Sequence, residues 1–232
     1  GASYNVDQEA IIENVDNISQ LKLRASYGVN GNASIGNYDW QPLYGYGYNY
    51  NQQPGSAPSN VGDSSLTWEL NKPYNVGIDL GVLKNRITLS ADYYVRKSED
   101  LLLNVPLSRT SGFQSATRNI GAMENKGIEV TLNAIPVQSR DFTWNVNFNF
   151  ANNKNTVTSL PGGADIADPN TTLQVIRQAE SIRSFYLREY AGVNPDNGDP
   201  LWYTDATHGT TTNVYPVAST RQIVGSALPK YF

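Results

Sequence analysis

Phe142-Thr143-Trp144-Asn145-Val146-Asn147-Phe148-Asn149-Phe150 is the stretch whose reading decides the fold. Five large apolar side chains alternate with Thr143 and three asparagines. A period of two puts the apolar side chains on one face of an extended chain and the polar ones on the other. Its length also carries information. Nine residues in one unbroken alternation exceed the ~5–6 usual for a soluble strand and match the ~9–11 of a tilted strand crossing a bilayer.

The pattern continues outward on both sides. Upstream, Ile128, Val130, Leu132 and Ala134 alternate with Glu129, Thr131 and Asn133. A turn over 137–141 joins this run to the first. Pairing Pro136 with Phe142 sets Ala134 against Trp144 and Val130 against Phe148, so the apolar faces coincide as a hairpin requires. Pro136 is tolerable at a strand end. A second hairpin passes the same test. Tyr74, Val76, Ile78, Leu80 and Val82 form one apolar set, and Ile87, Leu89, Ala91, Tyr93 and Val95 form the other. A two-residue turn at Lys84-Asn85 pairs Leu83 with Arg86, which sets Val82 against Ile87 and Tyr74 against Val95. Leu21–Tyr27 reads as an earlier strand. A later β-rich region from Ser184-Phe185-Tyr186 to Leu201-Trp202-Tyr203 bends at Pro195–Gly198. Gln8 to Val15 reads as a turn or helical stub, and Val175 to Arg188 is the best helical candidate.

The connections differ in length by side. Turns after Val82 and Pro136 are short, whereas the links Asn30–Leu66, Lys97–Lys126 and Asn152–Ser181 are long. Alternation of short turns with long loops is the habit of outer-membrane barrels. Aromatics near strand ends (Tyr74, Tyr93, Phe142, Trp144, Phe150) suit the girdles at the two membrane interfaces. Mean hydropathy of −0.45 and the lack of any ~18-residue apolar run resemble a soluble protein. A barrel that wets its lumen has the same averages, so the pattern decides. The fold expected is all-β: antiparallel strands of a transmembrane β-barrel, with 1–232 as a single region. A soluble β-sandwich is the alternative.

Composition removes several functions. The chain has no cysteine, which excludes disulfides, thiolate metal sites and cysteine nucleophiles. A net charge of −4 without a basic stripe argues against nucleic acid. His208 is the single histidine, so neither a catalytic triad nor a zinc site can be assembled around it. No phosphate-cradling or dinucleotide motif occurs, and no pair of carboxylates is placed face to face. The expectation is a protein that is not an enzyme and holds no cofactor and no metal. Asp196-Asn197-Gly198-Asp199 has a faint calcium-loop look but lacks the spacing and closing Glu of an EF-hand; a tight turn is the better reading. No signal peptide opens the chain. Phe232 follows Pro229 without alternation and reads as a cut end, not a barrel's last strand.

The candidate ligand-binding residues are Trp40, Tyr44, Tyr46, Tyr48 and Tyr50 in the first long loop. Flat aromatic faces stack on sugar rings and contact peptides, and Tyr suits protein interfaces. The competing reading is a β-hairpin arm packing on its neighbours. Asn75, Asp79, Asp92, Arg96, Glu129, Asn145 and Asn147 fall on the polar face, where they would form a hydrated wall or contact substrate.

These residues also resemble a known family. Leu21-Lys-Leu-Arg-Ala-Ser-Tyr-Gly-Val-Asn-Gly-Asn32, Leu66-Thr-Trp-Glu69 and Asn75-Val-Gly-Ile-Asp-Leu-Gly81 are similar to the SusC/RagA family. So, in order, are Ile87–Tyr94, Ser98-Glu-Asp-Leu101, Pro106-Leu107, Gly112-Phe113 and Asn119-Ile-Gly-Ala-Met-Glu-Asn-Lys-Gly-Ile-Glu129. Ser181-Ile182, Phe185-Tyr186, Gly192-Val193, Asp196–Trp202 and Gly225–Pro229 complete the set. The resemblance implies an outer-membrane importer of oligosaccharides or peptides in Bacteroidetes-type bacteria. It further implies a SusD/RagB-like surface lipoprotein as lid and TonB as energy source, acting through a plug domain. A full barrel of this kind has about 22 strands, of which roughly six to eight are legible here. The plug and TonB box are not among the matched motifs. A passive porin-like barrel and a soluble β-sandwich carbohydrate-binding module are the alternative functions.

Overall fold

The computed structural model describes residues 1–9, 17–167, 173–204, 208–209, 211–212 and 222–226. Its strands are β1 (Ala2–Asn5), β2 (Ile18–Tyr27), β3 (Asn30–Asn32), β4 (Tyr44–Tyr50), β5 (Gln53–Pro58) and β6 (Glu69–Val82). They continue with β7 (Ile87–Glu99), β8 (Leu102–Pro106), β9 (Ser115–Asn119), β10 (Ala122–Gln138), β11 (Thr143–Ser159) and β12 (Ile166–Ala167). The last are β13 (Gln174–Ile176), β14 (Ser184–Leu187), β15 (Tyr190–Val193), β16 (Pro200–Tyr203), β17 (Thr211–Thr212) and β18 (Gln222–Ser226). Among the described residues the helical elements are short 3-10 turns alone. The Val175–Arg188 helix expectation is therefore corrected: that segment is β13, a turn and β14. Val175 and Ile176 extend to pair with Ala167 and Ile166, and tertiary pairing overrides a weak helical pattern. The Gln8–Val15 stub falls almost wholly outside the described residues.

The main sheet is antiparallel in the order β1-β2-β6-β7-β10-β11, with β3 pairing further along β6. Its registers align the apolar sets into continuous rows. One row runs Leu21–Leu80–Leu89–Leu132–Phe148, and the next runs Leu23–Ile78–Ala91–Val130–Phe150. Tyr27 and Tyr74, ring centroids 4.7 Å apart, stand toward one end of this band. Phe142 and Trp144 stand at the other. Phe150 belongs to the middle of the wall, not its rim, because β11 runs on to Ser159.

This sheet is inside-out for a soluble protein. Its apolar face is uncovered: Val76 is 55% exposed, Phe148 53% and Ile78 37%. A sandwich would lay a second sheet over that face; here none is present among the described residues. Burial is instead found at the loop end of the wall, where the last residues of β11 meet the long connections. Val157, fully buried, packs with Leu160 and Ile166, and Leu103, Ile120, Ile176 and Ile182 close around them.

The β6–β7 register is the one expected, Val82 against Ile87 through to Tyr74 against Val95. Lys84 and Asn85 both have positive φ (58° and 61°), as a tight type I′ hairpin turn demands. Leu83, before them, is also left-handed at φ 53°, which costs a branched residue about 1–2 kcal/mol. Its side chain is half exposed, so little packing offsets that cost. Leu83→Gly is expected to stabilise the barrel by about 0.5–1 kcal/mol, read as a higher temperature for loss of the heat-modifiable band on electrophoresis.

The β10–β11 register departs from expectation by two residues: Ala134 faces Val146 and Val130 faces Phe150. The turn closes three residues out of the expected register, with Trp144 on Val137, and a bulge takes one of the three back. Ile135 and Pro136 together oppose the single Asn145, after which Val137 pairs with Trp144. Pro136 cannot donate to the ladder, and the Arg86 guanidinium caps the carbonyls of Ile135 (2.9 Å) and Pro136 (3.1 Å). The slip is even-numbered, so the apolar faces still match.

Two of the three long links are shorter than expected, because the strands outrun their apolar pattern. β7 reaches Glu99, β10 starts at Ala122 and β11 ends at Ser159. In these extensions polar residues pair through their backbones, Lys97 with Glu124 and Asn125 with Asn155. Backbone ladders need no apolar side chain, so alternation fades while the strand continues. All three long connections still leave the wall at one end, and the short turns, 83–86 and 139–142, lie at the other.

Candidate binding surface

The first long loop is built around a hairpin. β4 and β5 pair from Tyr44↔Pro58 to Tyr50↔Gln53 across the turn Asn51-Gln52, both residues at positive φ (47° and 63°). Strict alternation would put all four tyrosines on one face. Gly47, at φ 93°, forms a bulge between Tyr46 and Tyr48 and shifts the register by one. A one-residue shift reverses side-chain direction. Tyr44 and Tyr46 therefore share one face, and Tyr48 and Tyr50 share the other. Gly45 supports this arrangement: a Cβ there would lie 3.2 Å from the Tyr48 ring, which crosses it. Tyr46 and Tyr50 are 88% and 85% exposed. Trp40 is set apart at the hairpin base, where its carbonyl accepts the Asp63 N–H at 3.0 Å.

Polar side chains clamp the base. Asn60 Oδ1 accepts the Leu43 N–H at 2.6 Å, and Ser59 N–H donates to the Leu43 carbonyl at 2.7 Å. Arg118 on β9 donates to Asp63 at 3.0 Å. Asn119 bonds both the N–H and the carbonyl of Thr67 at 2.7 Å. The β8–β9 hairpin is thereby tied to the base of the tyrosine hairpin. The hydroxyl and N–H of Ser65, with Arg118 behind them, hold the Asp63 carboxyl below the usual carboxylate range. A depressed carboxylate stabilises the fold above its unfolded pKa near 3.8, and this contribution is lost as pH falls through the lower folded value. The anchor is complete at neutral pH.

Between these two loops lies a polar cavity of about 230 Å³ lined by Asp39, Asn60, Asn104, Ser115 and Thr117 among others. Sequence reading missed these residues. Their signal was the Asn/Asp/Gly turn chemistry around Gly36 and Gly62, which is common to any loop.

The polar wall face holds an ion cluster. Arg24 reaches from β2 across β6: its Nε donates to Asp79 at 2.8 Å, and its Nη2 to Asp92 on β7 at 2.8 Å. Ser90 bonds Asp79 at 2.8 Å. Of the residues assigned to this face, Asn75, Asp79, Asp92, Arg96, Glu129 and Asn147 sit in ladder positions, whereas Asn145 faces the bulge. The turn reading of Asp196–Asp199 matches the geometry, with Gly198 N–H donating to the Asn194 carbonyl at 2.9 Å and Gly198 at φ 79°. His208 bonds Glu189 at 2.9 Å and stacks on Tyr203.

A family model described as TonB dependent receptor-like, beta-barrel matches residues 1–226. The chain belongs to this family. It is an outer-membrane class of receptors and transporters. A TonB-dependent receptor of Formosa agariphila is 38% identical over 190 residues, covering 82% of this chain and 18% of that protein. The TonB-dependent receptor SusC of Bacteroides thetaiotaomicron is 33% identical over 217 residues, covering 85% of this chain and 21% of SusC. Among solved structures, that of the RagAB peptide transporter superposes with a TM-score of 0.86 at 31% identity, over 99% of this chain and 26% of that one. The chain thus spans about a fifth of the length of these curated relatives. It is a SusC/RagA-type barrel segment, and its open sheet is that of a partial barrel.

Proposed function

We propose that this chain is wall and surface-loop segment of an outer-membrane, TonB-dependent importer of oligosaccharides or peptides. The observation that carries the reading is the inverted sheet, whose apolar side chains lie uncovered on one face while Arg24, Asp79 and Asp92 pair on the other. Lipid is the solvent that makes such a surface stable. In this reading the chain is one region, 1–232, without a plug. A plug elsewhere in the longer protein couples to TonB, and a SusD/RagB-like lipoprotein closes the loop side. The chain contributes no enzymatic step.

Trp40, Tyr44, Tyr46, Tyr48 and Tyr50 then stand on the extracellular side, where long loops belong. They contact the substrate or the lipoprotein lid. In the longer protein, Tyr46→Ala with Tyr48→Ala is expected to reduce uptake or lid affinity by about tenfold, each buried aromatic contact carrying about 1 kcal/mol or more. Unchanged uptake and unchanged lid affinity would remove these residues from the site. Recovery of the intact protein from the soluble fraction, without detergent, would remove the importer reading itself. A passive porin would let the same solutes through when TonB is deleted; the importer would not.

A further inference from the structure

The apolar rows of the wall end on the same residue type in four consecutive strands. On β6 the series Val82, Leu80, Ile78, Val76, Tyr74 is followed by Lys72. On β7 the series from Ile87 to Val95 is followed by Lys97. On β10 Ile128 gives way to Lys126, and on β11 Phe150 gives way, after Asn152, to Lys154. A period of two keeps each lysine on the face of the apolar side chains before it. The ladder agrees, with Lys126 opposite both Val95 and Lys154. All four lysines lie at the loop end of the wall. At the short-turn end the same face closes on Val82, Ile87, Val137 and Trp144, all apolar.

The registers bring like charges together. Lys72 is directly opposite Lys97, and Lys126 is directly opposite Lys154. Opposed side chains on one face have Cβ atoms about 4.5–5.5 Å apart, and like charges there are destabilising. Two carboxylates on this face answer part of the charge: Glu99 pairs with Lys72, and Glu124 lies 3.5 Å from Lys126. Lys97 and Lys154 are exposed and make no ion pair among the described residues. An anion seated among the four ammonium groups removes the repulsion.

The position of the patch names the source of that anion. Lys72, Lys97 and Lys126 stand two residues, about 7 Å, beyond the last apolar side chain of their strands. A lysine stem can lie along apolar surface and carry its ammonium group to the headgroup level. Tyr27, Tyr74 and Tyr93, exposed on the same face, lie just inside the lysines, as the rings of an interfacial girdle do. Further barrel strands join at the sheet edges, β1 and β11, in the plane of the sheet. They leave this face open to lipid.

We propose that Lys72, Lys97, Lys126 and Lys154 form a site for the phosphate-bearing headgroup of an anionic lipid in the outer leaflet. This rests on the outer-membrane barrel reading and adds a lipid ligand to it. Each lysine near an anionic surface contributes to the attraction, and the two without a carboxylate partner contribute most.

The test uses the full-length transporter in detergent, titrated with lipid A carrying its phosphate, with bound lipid counted by native mass spectrometry. Lys97→Gln with Lys154→Gln is expected to weaken binding by about ten- to thirtyfold. Lys97→Arg with Lys154→Arg keeps the charge and is expected to bind as the wild type does. Lys22→Gln with Lys84→Gln removes two lysines outside the patch and is expected to change nothing. Equal binding by wild type and the glutamine pair overturns the proposal, as does equal weakening by the control pair. So does equal affinity for dephosphorylated lipid A, or inorganic phosphate bound as tightly as the lipid. Cross-linking of Lys97 to a second copy of the chain in the membrane overturns it too. If these results fail while Ile78→Arg still blocks assembly, the proposal falls and the barrel reading stands; if Ile78→Arg assembles as freely as Thr131→Arg, both fall.

Discussion

Ile78→Arg is expected to cost the folded barrel about 2–4 kcal/mol, the price of a cation on the lipid face near mid-bilayer. Ile78 lies in the central row Leu23–Ile78–Ala91–Val130–Phe150 and is 37% exposed, with no described element packed over it. In a water-soluble protein so exposed a position would accept arginine with little effect. In a bilayer the charge has no solvent and no partner. The outcome to measure is the amount of heat-modifiable, protease-resistant protein in the outer membrane, which should fall severalfold. Thr131→Arg, one residue over on the polar face, is the matched control and should assemble normally. If both variants assemble alike, the uncovered face does not contact lipid.

Arg24→Ala is the second large effect. The guanidinium bonds Asp79 twice, Asp92 once and Ser90 once, and so links three strands through side chains alone. Without it Asp79 and Asp92 are left beside each other, with Glu129 directly across from Asp92. Hydrogen bonds to charged groups are worth about 1.5–3 kcal/mol each, but these groups are about a third exposed and solvent screens them. A net loss of about 1–3 kcal/mol is expected, seen as a lower urea midpoint for the detergent-solubilised barrel. Adding Asp79→Asn and Asp92→Asn to Arg24→Ala should recover most of it; a triple variant as weak as the single one would show that charge is not the cause. Gly77→Ala should move stability the same way. A Cβ at Gly77 would sit 2.3 Å from Asp92 Oδ1 and 2.8 Å from Arg24 Nη2, so the bridge exists only because β6 has no side chain where the arginine crosses.

Much of the wall was legible in the residues. Alternation over β6, β7, β10 and β11 determined which side chains share a face, and the Lys84-Asn85 turn determined one register outright. The β10–β11 register was not legible, because the turn closes tightly from Ser139 to Phe142 and a bulge at Ile135-Pro136, capped by Arg86 from the β6–β7 turn, then takes one residue back. The strand ends were not legible either, since Lys97–Glu99 and Asn152–Asn155 pair through backbone and carry no apolar signal. The aromatic loop was visible as a cluster, but its division into two faces was not. One glycine in the left-handed region turns Tyr48 and Tyr50 away from Tyr44 and Tyr46, and the letter G at position 47 looks like the letter G at position 45.

By itself, then, the sequence determined the strand type, the two chemical faces and the alternation of short turns with long loops. Those follow from a period of two, which is local. Only the tertiary structure decided that the apolar face is the uncovered one and that the buried core lies at the loop end of the wall, around Val157 of β11. It also decided that Arg24 reaches across Gly77 to two carboxylates, and that a bulge at Gly47 divides the tyrosines between two faces. Each of these depends on what lies beside a strand in space, and no periodicity along a single strand contains that.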